Sequence, residues 1–125
     1  MKVQVERIDG NEVFMTTSVG FISGIWDSKE IKPEVGYEFY VELDIDIAWN
    51  EINKTLLQND GAYWVNTNEK KVIIQGTIDD FEEDMIYFRI SRDCLIMLNT
   101  DKASCLKNEW YELSVDSSSI RITPF

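Results

Sequence analysis

The chain has 125 residues, with twenty-three Asp and Glu against twelve Lys and Arg, a formal net charge of −11 and no histidine. A field of that sign repels nucleic-acid backbones and anionic lipid and attracts basic proteins or cations, so direct nucleic-acid or membrane binding is disfavoured. A hydrophobic content of 44% with four Trp excludes a disordered chain and suits one packed domain.

Met1 runs straight into the alternating segment KVQVERI. No basic region precedes an apolar stretch, and no run nears the ~20 apolar residues of a membrane span, so the expected location is cytoplasmic. Val3 to Ile8 alternates, Asp9-Gly10-Asn11 supplies a turn and Glu12 to Ser18 returns, which predicts a hairpin. Gly20 to Trp26 is a further apolar run. Ile31 to Gly36 carries Pro33 and Gly36 in turn positions and delivers the chain into the next strand.

That strand, Tyr37 to Ile47 (YEFYVELDIDI), has two faces of opposite chemistry. Tyr37, Phe39, Val41, Leu43, Ile45 and Ile47 fall on one side; Glu38, Tyr40, Glu42, Asp44 and Asp46 fall on the other. Sheet propensity disfavours Asp and Glu, and like charges stacked along a strand repel, so the acidic row needs a cation, a basic partner or solvation. From Lys32 to Lys54 there are six acids and no base; from Lys71 to Arg89 there are five acids and again no base. A solvated face is the plain account of one such run; two in a small chain favour a partner surface.

In Ala48 to Asn59 the spacing of Trp49, Ile52, Leu56 and Leu57 predicts a short helix over 48–59, ended by Asn59-Asp60-Gly61. Ala62 to Val65 reads as a strand or an anchored loop, with Trp64 and Trp110 expected in the core. Lys71 to Ile78 pairs with Met85 to Ser91 across the acidic tip DDFEED. Leu95 to Leu98, Trp110 to Val115 and Ser119 to Thr123 complete the strands, the last two joined by a hairpin loop at Asp116-Ser117-Ser118. The connections are too short for parallel crossovers.

The expected fold is therefore a single all-β domain, residues 1–125, built as an antiparallel small barrel or sandwich of the OB or SH3 type. An echo at an offset of 74, in which Tyr37–Val41 reappears as Tyr111–Val115 and Phe14 as Phe88, raises possible duplicated β-units with halves 1–47 and 71–125.

Chemistry-bearing patterns are sparse. Without His the Ser-His and Cys-His nucleophile pairs are gone, and six Gly form no phosphate- or dinucleotide-binding pattern, so neither an enzyme nor a cofactor is expected. Glu42, Asp44 and Asp46 could serve a metal-dependent hydrolase, but no accompanying ligand motif is visible and no metal is expected. Cys94 opens the apolar run CLIML and reads as a small core hydrophobe; Cys94 and Cys105 are too few for a metal knuckle. Tyr40, ringed by carboxylates, reads as an interface anchor. The expected function is an acidic cytosolic binding protein that docks a basic protein through Glu38, Tyr40, Glu42, Asp44 and Asp46. Its most economical form is a bacterial immunity- or antitoxin-like inhibitor of a cationic nuclease toxin. The alternative is a small-ligand or oligonucleotide-binding barrel serving as an accessory module.

Overall fold

The structure is a computed structural model that describes residues 1–58, 61–101 and 105–125. Its first strands are β1 (Lys2–Asp9), β2 (Glu12–Thr17), β3 (Gly20–Trp26) and β4 (Glu38–Ile45). They are followed by β5 (Asn53–Leu56), β6 (Trp64–Asn68), β7 (Lys71–Phe81), β8 (Met85–Ser91), β9 (Cys94–Asn99), β10 (Trp110–Asp116) and β11 (Ile120–Pro124).

The all-β expectation holds: five strands close a small barrel and six elaborate it. Around the barrel β1 pairs with β2 and β2 with β3, β11 bridges β3 and β4, and β4 returns to β1. The β1–β2 hairpin turns at Gly10, whose φ of +64° is cheap only for glycine in so tight a loop. The β3–β11 contact is parallel, against the expectation of antiparallel pairing throughout. Consecutive connections are indeed short, but β3 and β11 are separated in sequence by the whole of β4 to β10, and that stretch serves as the crossover.

β5 to β10 form the second part. β7 pairs with β10, with β6 over Lys71–Gln75 and with β8 from Thr77 onward; β9 lies outside β8 and β5 outside β10. The antiparallel order β9-β8-β7-β10-β5 repeats the order β3-β2-β1-β4-β11 of the barrel. One continuous cluster of buried side chains runs through both parts, from Val3, Met15, Val41 and Ile122 to Trp49, Ile74, Phe88 and Leu113.

The helix predicted over 48–59 is corrected to a single 3-10 turn, Trp49–Glu51, followed by β5. Three residues per turn put Trp49 and Ile52 on one side, and both are buried. Beyond them Asn53–Leu56 gains ladder hydrogen bonds with β10, which a helix would forgo, and Leu56 points outward. Asn59 and Asp60, expected to end the segment, lie outside the described residues. The loop at Asp116–Ser118 is no hairpin. β10 and β11 do not pair; a 3-10 turn at Ser117–Ser119 redirects the chain, pinned by Ser117 Oγ donating to Glu12 Oε2 (2.7 Å) and its N–H to the Lys70 carbonyl (2.8 Å). Trp64 is exposed rather than core, because Val65 takes the inward position of β6.

Candidate partner-binding face

β4 alternates as the sequence requires: Val41, Leu43 and Ile45 are buried and Glu38, Tyr40, Glu42 and Asp44 are exposed, with Asp46 exposed just past the strand end. Burial of each such aliphatic side chain is worth about 1.5–3 kcal/mol, so a one-residue slip that exposed three of them and buried the acids is ruled out by several kcal/mol. Tyr37, assigned to the inward side, is instead exposed. It precedes the strand, where its carbonyl accepts from Val5 N–H (3.0 Å) and its ring is left in solvent.

The neighbours of the row decide its charge. On one side Lys2 of β1 lies opposite Tyr40, and its Nζ reaches Glu38 at 2.8 Å, which raises the lysine pKa through that hydrogen bond. On the other side β11 sets Arg121 opposite Asp44 and Thr123 opposite Glu42. Yet the Arg121 guanidinium lies 3.6 Å from Asp46 and 3.9 Å from Asp27. Both ends of the row are thus paired, whereas Glu42 and Asp44, roughly 7 Å apart along the strand, enter none of the ion pairs among the described residues.

The structure adds residues that the sequence reading did not single out. Beside Glu42 and Asp44 opens a cleft of about 260 Å³ lined also by Met1, Asp93, Leu95, Met97 and Phe125. Met97 and Phe125 are 58% and 71% exposed, and Tyr40 is 56% exposed, so the acidic row borders an apolar strip. Phe125 is held beside Tyr40 by its N–H donating to the Tyr40 carbonyl (3.0 Å). The signal lay in the run CLIML. Cys94, Ile96 and Leu98 face inward, which forces the equally apolar Leu95 and Met97 outward on a strand paired only with β8.

Asp93 is held below the usual carboxylate range, first by the Ser91 hydroxyl donating to it at 2.7 Å and then by the Met1 ammonium 3.9 Å away. Cys94 is buried and its pKa is pushed up to about 11 by loss of solvent, so it is a core thiol and not a nucleophile at neutral pH.

Glu42, Asp44 and Asp46 stand in a row rather than converging, and no group of three or more acids, His or Cys among the described residues could hold a metal ion. The acidic tip is a hairpin end: Asp79 pairs with Arg89 (3.0 Å), Asp80 with Lys107 (3.2 Å), and Tyr87 donates to Glu82 (3.3 Å). Arg7 lies over the Phe14 ring and Lys71 is bound to Asp116 at 2.9 Å, so these cations too are committed inside the molecule rather than gathered beside exposed aromatics. No helix of the described residues is long and apolar enough to cross a membrane.

No protein-family model, curated protein or solved structure matches this chain.

Proposed function

We propose that this chain is a non-catalytic binding protein whose β4 face, with Glu38, Tyr40, Glu42, Asp44 and Asp46, docks a basic protein. The observation that carries the reading is the middle of the row. Glu42 and Asp44 are exposed on a strand that disfavours them and enter no ion pair among the described residues, while Tyr40, Phe125 and Met97 lie exposed beside them. The barrel core takes Val41, Leu43 and Ile45 from the inward side of β4, and the outward ion pairs among the described residues take Glu38 and Asp46, so neither uses those two acids. Tyr, Phe and Met are the residues that protein interfaces enrich, and unpaired carboxylates around them steer a cationic partner and reject an anionic one. A net charge of −11 extends that attraction beyond contact range.

The most economical partner is a cationic nuclease, because a row of carboxylates can occupy a surface built for phosphates. In that form the chain is an immunity- or antitoxin-like inhibitor working in the cytoplasm. The test is affinity capture from the native host with wild-type chain and with Glu42→Lys/Asp44→Lys on parallel supports. The reading expects a basic protein, held by the wild type and released by the reversal, whose nuclease activity falls as stoichiometric chain is added. Retention of the same proteins by both supports overturns the docking face, and a basic partner without nuclease activity overturns the inhibitor form.

A further inference from the structure

Resting on that reading, we infer that the cleft between β4 and β9 is a subsite for one lysine or arginine side chain of the partner. Its size argues for a side chain: about 260 Å³ falls below the roughly 300–1,000 Å³ of pockets that take whole small molecules. Its walls argue for an amphipathic one. Leu95, Met97 and Phe125 offer an apolar surface, and Glu42 and Asp44 stand beside it. A long cationic side chain lays its methylene stem along apolar surface and keeps its charged head among acceptors, which matches this division of the lining. A neutral apolar occupant would strand two carboxylates without a counter-charge, and an anion would be repelled by them. Two internal cations lie near enough to close the site, and both are committed elsewhere: the Met1 ammonium, in the cleft lining, donates to the Val41 carbonyl (3.1 Å) and lies 3.9 Å from Asp93, and Arg121, although opposite Asp44, reaches to Asp46 and Asp27.

Met97 is the residue that makes this more than a charged patch. It is 58% exposed on an outward face where a solvated strand would carry a polar residue, and its flexible thioether adapts to the stem it covers.

The test is nitrogen-15 NMR titration of the intact chain with the capped tripeptide Gly-Arg-Gly, using its citrulline counterpart as control. Citrulline keeps the length and stem and replaces the cationic guanidinium by a neutral urea. The inference expects saturable shifts at the amides of Leu43, Asp44, Leu95, Met97 and Phe125, at least tenfold weaker binding of the citrulline peptide, and several-fold weaker binding of the arginine peptide to Met97→Gln. Equal affinity for the two peptides, shifts confined to Glu38 and Tyr40, or no loss with Met97→Gln overturns the subsite while leaving the docking face standing. Failure of the face itself is read separately: the captured partner would then bind Glu42→Lys/Asp44→Lys like wild type.

Discussion

Gly20 is where the barrel meets the second part of the molecule, and Gly20→Ala measures how closely. Gly20 is the β3 residue paired with Val65 of β6, and its φ is +137°, a region essentially closed to side-chain-bearing residues. A Cβ placed there would collide with the Val65 carbonyl oxygen. The backbone conformation alone costs about 1–3 kcal/mol. Relieving the collision must also move Val65, whose N–H donates to the Val19 carbonyl at 3.0 Å, and loss of that bond adds about 1–3 kcal/mol. The expected destabilisation is therefore about 2–6 kcal/mol, a large share of the ~5–15 kcal/mol that holds an ordinary domain together. Gly10→Ala supplies the control, since Gly10 also has a positive φ but a Cβ there meets nothing within 4 Å; it should cost only about 1–2 kcal/mol. Urea unfolding of both variants, followed by tryptophan fluorescence, gives the comparison. Equal stability of the two variants, within about 0.5 kcal/mol, refutes the close β3–β6 approach.

Cys94 should resist a thiol reagent at pH 8 until urea unfolds the chain, because burial holds its pKa at about 11. The same burial gives the pH dependence its sign. The unfolded thiol ionises first, so stability present below its unfolded pKa near ~8.5 is lost as pH rises through the folded value. Cys94→Ala should flatten that loss, and an unchanged slope would contradict it. Phe88, fully buried against Trp49 at a ring separation of 6.1 Å, should cost about 3–5 kcal/mol when cut to Ala, measured as a urea midpoint. If the acidic row binds protein rather than metal, millimolar Mg²⁺, Mn²⁺ or Ca²⁺ should leave the melting temperature nearly unchanged. A saturable rise approaching ~2.7 kcal/mol at a hundredfold excess over the dissociation constant, abolished by Asp44→Asn, would reverse that view.

The strand alternation was fully legible where one face is buried. In β4 the apolar set Val41, Leu43 and Ile45 has no other place to go, and that same constraint puts Glu42 and Asp44 outward. Register between strands was less legible. The sequence echo at 74 sets Tyr111 against Tyr37, whereas the pairings put Tyr111 opposite Gly76 of β7 in the way that Phe39 lies opposite Val3 of β1. Bulges in the β1–β2 and β7–β8 hairpins absorb residues, and hydrophobic alternation cannot count them. The helix expectation failed because β5 is held by β10, more than fifty residues away, and a local period carries no trace of that ladder. For the face, the acids and Tyr40 could be read locally. Met97, Leu95 and Phe125 could not, because their place beside Glu42 depends on how β9 and β11 pass β4.

The central claim is that the exposed carboxylates Glu42 and Asp44 on β4, which enter no ion pair among the described residues, steer and hold a basic partner. Its most direct test is the association and dissociation rates of that partner with wild type, Glu42→Lys/Asp44→Lys and Tyr40→Ala at 20 and ~150 mM salt, where the screening length falls to about 8 Å. The charge reversal should fold normally and associate at least tenfold more slowly at low salt, with the gap narrowing at high salt. Tyr40→Ala should act chiefly by faster dissociation, as expected of an anchor that fills a partner's surface. A reversed variant with wild-type rates at both salt concentrations would mean that the acidic face is only solvated, and would contradict the account at its centre.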